Sequence, residues 1–408
     1  MGLGINIKGE VTNPTSFIAI QEYITNNSSG LFKDFLSFSE DENSLYVRLH
    51  PCEETVHFEY IGNHLICSAK TNSVGPGYHA YLVEFIEKLG TDLGVQWHWN
   101  LEEGDDYYSD ETDYYNHRDF KQLQIEMLEW LRQLAKSVME NGNKNFMLSV
   151  PGGYPRPSFD YFAISQLRIL HREWFEQIAN LEIHELKWAG QEFFIWWNKQ
   201  DDQHFYKATG TALLNVECPW HYPADDSERK VLNNIDRCFQ QAEQLSPKID
   251  LPREDWYTVK NYLNGNDTHI PETEFGYRKH IMTFDLAGNW MIDLPGNLYR
   301  SIEDDSEVYY DHDRTVRSRC YTRSDKRSDD EYANDFFDDA SAGTEFLESE
   351  TDIAGKAIVY YSIDKEAEQE YWILQGVKVK EHKFVLSTIC YPTEEHKQWA
   401  IDTWNSVR

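Results

Sequence analysis

The apolar period of this 408-residue chain switches between two and about 3.6 from segment to segment, and that switching constrains the fold more than any single motif. Residues 44–50, 55–60 and 64–70 are β-rich runs separated by polar turns at Asn63 and Asn72-Ser73, which predicts a meander. After Val74-Gly75-Pro76-Gly77 the spacing becomes helical, with Tyr78, Leu82, Phe85, Ile86 and Leu89 on one face and Gly90 as a stop. A strand is expected over 95–99. A long helix follows, carrying Phe120, Leu123, Met127, Leu131, Leu134 and Val138 on one face, with Gly142 just beyond its end.

Pro151-Gly152-Gly153-Tyr154-Pro155-Arg156-Pro157 is the densest Pro/Gly cluster and predicts a linker. Beyond it, 164–179 reads as helix, while the aromatic-rich stretches 191–198 and 204–216 read as strands. Asp225, three residues before Glu228, matches a capping box at the start of a helix through Val231, Ile235, Cys238, Phe239, Ala242 and Leu245. Pro252 opens another short helix that stops near Gly265. From 281 the rhythm returns to strands, at 281–286, 290–294, 314–321, 357–363, 370–376 and 383–391. An acidic stretch at 329–339 suits a short helix, and 393–408 suits a closing helix with Trp399, Ala400, Trp404 and Val407 on one face. The expected fold class is therefore α+β in two or three domains: 1–150, a middle domain or continuation at 151–270, and 271–408, an antiparallel sheet with packed helices.

Aromatic residues make up 14% of the chain and supply cores that its mean hydropathy of -0.66 would otherwise deny. Acidic residues outnumber basic ones 70 to 38, for a net charge of -32, spread as -13 over 1–150, -6 over 151–270 and -13 over 271–408. Such a field repels nucleic-acid phosphates and anionic membranes and steers cationic partners into encounter. No basic segment leads into an apolar core at the start, and no run of about 18 apolar residues occurs, so neither secretion nor membrane insertion is expected. Six cysteines without a CxxC pair point to reduced thiols and a cytoplasmic setting.

In the last third, Trp290-Met291-Ile292-Asp293-Leu294-Pro295-Gly296, then Arg314-Thr315-Val316, then sheet strands and a helix ending Trp404-Asn405-Ser406-Val407 follow one another in an order that resembles the PsbP/DcrB-like fold. That resemblance implies an antiparallel sheet with helices on its faces, in domains that act as binding or assembly modules, and it carries over no catalytic residue. The stretch from Cys218-Pro219-Trp220-His221-Tyr222-Pro223 through Leu251-Pro252-Arg253-Glu254-Asp255-Trp256 is similar to uncharacterised bacterial proteins of toxin–immunity and defence loci.

Two constellations carry candidate chemistry. Gly75-Pro76-Gly77-Tyr78-His79 opens a helix, where backbone N–H groups can meet an anion, against the plainer reading of a tight turn with a packed or capping His79. The second is an acidic-aromatic loop, Asp105, Asp106, Tyr107, Tyr108, Asp110, Glu111, Asp113, Tyr114 and Tyr115. It lacks the spacing of a calcium loop; its carboxylates suit the Arg and Lys of a partner and its tyrosines suit rigid apolar contact, against a plain solvated loop. No HExxH, Walker loop, GxGxxG or GxSxG is present, so neither a metal, a cofactor nor a catalytic set is expected. Trp196-Trp197 reads as one core ring and one surface ring. The basic island Arg314, Arg317, Arg319, Arg323, Lys326 and Arg327 is expected to be neutralised by Glu303, Asp304, Asp305 and the acidic residues 329–331.

The function expected is an acidic cytoplasmic binding protein, an immunity protein that neutralises a toxin or effector with a basic surface. The alternatives are a DNA mimic or accessory subunit of a defence or counter-defence system, and an enzyme using His79 with carboxylates of residues 105–113.

Overall fold

The computed structural model describes residues 2–11, 16–28, 33, 35–103, 106–142, 145–266, 268–324, 327–337, 344–364 and 369–408. It is a mixed α+β chain in two compact units that are not contiguous in sequence. The first comprises Met1–Gly152, Asp160–Cys218 and Asp225–Gly276; the second comprises Gly153–Phe159, Pro219–Ala224 and Tyr277–Arg408.

The first unit opens with strand β1 (Gly4–Val11) and helix α1 (Phe17–Asn27), followed by the meander β2 (Ser37–Glu40), β3 (Ser44–Arg48), β4 (Val56–Ile61) and β5 (His64–Lys70). Helix α2 (Pro76–Leu93) then leads to β6 (Val95–His98), β7 (Asn100–Glu103) and β8 (Asp106–Asp110). All eight strands join one sheet, β2-β3-β4-β5-β1-β8-β7, with β6 also on β1. β1 is central because it holds β5 along one edge and shares the other between β8, at Ile5 and Asn6, and β6, at Lys8–Val11. Alternation along these strands sends Ile7, Val47, Phe58 and Leu65 into the core with Leu82 and Ile86 of α2.

Short helix α3 (Tyr114–His117) precedes α4 (Phe120–Asn141), which buries Leu123, Met127, Leu131 and Val138 and ends at Gly142 with φ +62°. Its start is capped by Asp119, whose carboxylate accepts from the backbone of Lys121 and Gln122.

Three readings from sequence are corrected beyond this point. Residues 164–179 hold two short strands and only then a helix: β11 (Ala163–Ser165) pairs in parallel with β9 (Phe146–Leu148) and antiparallel with β12 (Ile169–Leu170), and α5 (Arg172–Asn180) follows, while β10 (Arg156–Pro157) lies in the second unit. The expected strand at 191–198 is the end of α6 (Lys187–Phe193) and an extended aromatic segment. The expected strand at 204–216 is α7 (Gln203–Val216), capped by Asp202, whose Oδ1 accepts from His204 N at 3.0 Å and Phe205 N at 3.1 Å. Aromatic and β-branched residues favour any half-buried surface, and a helix supplies one as readily as a sheet. At Gly210 a Cβ would stand 2.7 Å from the Phe239 ring of α8 (Asp226–Leu245), so close helix packing selects glycine there. The Asp225 cap is present, with its carboxylate accepting from Glu228 N at 2.8 Å, and α9 (Arg253–Leu263) closes the unit's helices.

In the second unit, the segment expected as a linker contributes β10 as an edge strand on β13 (Ile281–Leu286), which pairs with β14 (Trp290–Pro295). A proline tolerates such an edge because its missing N–H faces away from the ladder. The main sheet runs β15 (Tyr299–Glu303), β16 (Ser306–Tyr310), β17 (Thr315–Thr322), β21 (Lys383–Tyr391), β20 (Gln369–Lys380), β19 (Ala354–Asp364), β18 (Glu345–Glu348), all antiparallel. Helix α10 (Asp329–Asp335) packs Ala333 with Val377, Val379 and Phe384, whereas α11 (Lys397–Asn405) lays Trp404 over Gly376. Adjacent residues of a strand point to opposite faces, so the two helices cover opposite sides of the sheet. The basic island is neutralised locally: Arg314 pairs with Asp311, Arg317 with Glu303, Arg319 with Asp305, Arg323 with Asp329 and Arg327 with Asp335. Lys326 lies outside the described residues.

Candidate functional site

The sequence-selected residues divide between the interior and the surface of the first unit. Gly75 caps α2 with φ +119°, a conformation that favours glycine, and a Cβ on Gly77 would stand 2.3 Å from both Trp196 Cδ1 and the Asn198 carbonyl. Gly77 N–H donates to Trp196 O at 2.8 Å. The glycines therefore admit a neighbouring segment of the chain, and its carbonyl occupies the position an anion would take at this helix start.

His79, one turn in, is fully buried. Its Nδ1 lies 2.8 Å from Thr71 Oγ1, and its Nε2 lies 2.9 Å from both Asp110 Oδ1 and Thr112 Oγ1. Asp110 Oδ1 also accepts from Thr112 N at 2.9 Å and Thr112 Oγ1 at 2.8 Å, while Oδ2 accepts from Tyr115 N at 2.8 Å. Burial pushes the Asp110 carboxyl up, but the hydrogen bond and charge of His79 and the N–H groups of Tyr115 and Thr112 outweigh it and bring it down to about 2. The pair meets the reach that acid–base chemistry requires. Neither side chain is open to a substrate, so the network serves as a strut joining the end of β5, α2 and β8.

The second group lies at the surface. Tyr107 is 54% exposed, sits opposite Glu102 across β7 and β8, and donates from its hydroxyl to Asn100 Oδ1 at 3.1 Å. Tyr108 is half-buried, with the Lys8 ammonium 5.7 Å from its ring. Glu111 is exposed and accepts from Gly4 N at 2.7 Å; Asp113, exposed with φ +55°, pairs with His117 at 2.7 Å. Glu10, Glu102 and Glu103 are exposed on the adjoining strands. Tyr114 is interior, donating to Glu84 Oε1 at 3.0 Å and accepting from Lys199 Nζ at 3.0 Å, and Tyr115 stacks on Trp99 at 4.3 Å. Asp105 lies outside the described residues, and Asp106 opens β8 opposite Glu103. The segment read as a loop thus holds β8, one strand of the β7–β8 hairpin, and the start of a short helix.

Trp196 and Trp197 are both buried, where one surface ring was expected, because each ring lies on a glycine: Trp196 on Gly77 and Trp197 on Gly190. Among the described residues no group of three His, Cys, Asp or Glu side chains is arranged to hold a metal ion, and no helix is long and apolar enough to cross a membrane.

A cavity of about 490 Å³ in the first unit escaped the reading from sequence. One wall is the face of α7 formed by His204, Lys207, Ala208 and Thr211, and its floor includes Phe194, Ile195 and Trp197. The spacing 204, 207, 208, 211 is the helical signal that would have found it, and reading 204–216 as a strand dispersed those residues over two faces.

No family model matches the chain, and no curated protein matches it. Among solved structures, a crystal structure from Bacteroides thetaiotaomicron is 9% identical, with a TM-score of 0.27, over 31% of this chain and 47% of that one. The chain thus spans about half the length of that relative. The Ran-binding protein Mog1p of Saccharomyces cerevisiae is 14% identical, with a TM-score of 0.22, over 30% of this chain and 84% of that one. At these scores neither likeness bears on what this chain does.

Proposed function

We propose that this chain is an acidic cytoplasmic binding protein whose outer hairpin, β7 and β8, receives a protein partner with a basic surface; the narrower reading is an immunity protein that neutralises a basic toxin. The observation that carries the proposal is the exposure of Glu102, Glu103 and Tyr107 on the β7–β8 hairpin, whose β7 is an edge of the sheet, and of Glu111 and Asp113 just after β8. An edge strand offers unpaired backbone groups, and carboxylates beside it repel ordinary strands while admitting one that brings Arg or Lys. The Asp113–His117 pair is exposed and worth about 0–1 kcal/mol, so a partner's cation can replace it, whereas Glu103 is paired with Lys8, whose side chain is mostly covered. Tyr107 supplies the apolar contact, and the net charge of -32 supplies long-range steering. The resemblance of residues 271–408 to binding and assembly modules supports the same class of function.

The test begins with affinity purification from the native host and proceeds to association kinetics with the recovered basic protein. The association rate should fall steeply with added salt and drop about tenfold or more in the triple variant Glu102→Lys, Glu111→Lys, Asp113→Lys. A rate indifferent to both salt and charge reversal, in a variant that melts like the parent, overturns the proposal.

A further inference from the structure

We propose that the first unit also binds a small zwitterion with an apolar body, an apolar amino acid or a molecule built like one, in the cavity beside α7. At about 490 Å³ the cavity falls within the usual range of small-molecule sites, roughly 300–1,000 Å³. Its floor is apolar and fixed: Phe194 and Trp197 are buried and stack on each other with 5.9 Å between ring centroids, and Ile195 is buried beside them. Such a floor takes an aliphatic or aromatic body.

The charges around the floor divide into those already used and those left over. Arg168 is held by Glu192 at 2.9 Å, and Asp202 is committed to capping α7. Lys207, by contrast, is half-buried on the α7 wall and makes no ion pair or hydrogen bond among the described residues, in a chain with 70 acidic side chains available to pair with it. Asp250 and Glu274, exposed on the rim, are likewise without partners among the described residues. One helical turn from Lys207, Thr211 is only 6% exposed and its Oγ1 has no hydrogen-bond partner among the described residues, a state that costs about 1–3 kcal/mol unless something meets it.

These leftovers select a ligand class. A simple anion would be drawn to Lys207 but repelled by the two rim carboxylates; a simple cation would be drawn to the rim but repelled by Lys207. A molecule with a carboxylate for Lys207 and an ammonium for Asp250 and Glu274, joined by a short apolar body, satisfies both. Residues four apart share a helix face, so a carboxylate at Lys207 also brings acceptors to the face that carries Thr211. The site is separate from the β7–β8 hairpin, so either reading can fail without the other.

Calorimetry and thermal shift on the full chain decide it, with L-phenylalanine and L-leucine as zwitterions and phenethylamine and 3-phenylpropionate as the two halves of the first. The zwitterions should bind, with each half about tenfold or more weaker. Lys207→Met should weaken L-phenylalanine about tenfold while leaving phenethylamine unchanged or tighter, and Asp250→Asn with Glu274→Gln should do the reverse with respect to 3-phenylpropionate. All three positions lie on the wall or rim, and an unaltered melting temperature without ligand shows the variants folded. Absence of binding by both amino acids at millimolar concentration, or half-molecules that bind as tightly as the zwitterion, overturns the proposal.

Discussion

Asp110 shows what a single side chain does here. Its carboxyl titrates at about 2 in the folded chain against an ordinary 3.8, so the folded state holds the charged form more tightly than the unfolded state does. The resulting stability is fully present above the ordinary value and is lost as pH falls through that window toward about 2. In Asp110→Asn, urea unfolding should show stability at neutral pH reduced by about 3 kcal/mol and a flatter dependence on pH in the acid range, because a buried pair has lost one charge. Equal stability of variant and parent across that range would show that the strut contributes nothing. His79 and Asp110 were both visible in the sequence as chemistry-bearing residues. A packed His79 was among the readings of the sequence; the burial of Asp110 was not, because it depends on β8 pairing with β1, whose partner residues lie about a hundred positions away.

Among elements, helices with long regular stripes were legible and short aromatic segments were not. The α4 stripe, the Asp225 cap and the closing helix lie where period and capping chemistry put them. α7 was misread because its Thr, Ala and aromatic residues suit either period, and its Asp202 cap is the decisive local signal. Packing between elements adds a test in the second unit. A Cβ on Gly376 would stand 2.2 Å from Trp404 Nε1, so Gly376→Ala should destabilise the chain by about 1–3 kcal/mol by pushing α11 off the sheet. Gly152→Ala, with nothing within 4 Å of the added carbon, is the matched control. If the two variants melt alike, the close contact does not set the position of Trp404.

For the whole molecule, the dominant quantity is the net charge of -32. Self-repulsion of that size opposes compaction and is screened by salt, so the melting temperature should rise as sodium chloride increases from about 0.05 to 0.5 M, over which the Debye length shrinks from roughly 14 to 4 Å. A melting temperature that falls would mean that local pairs such as Arg314–Asp311 and Arg327–Asp335 outweigh the repulsion.

The α+β class, the meander, the amphipathic helices and the acidic surface were determined by the sequence alone, because period, capping and charge are properties of neighbouring residues. Only the tertiary structure decided that residues 153–159 and 219–224 join the second unit, that His79 and Asp110 face each other inside, and that Lys207, without a side-chain partner among the described residues, lines a cavity with an aromatic floor. Those outcomes rest on contacts between residues far apart in the chain. Burial, which turns a carboxylate from a docking group into a strut, is set by those contacts.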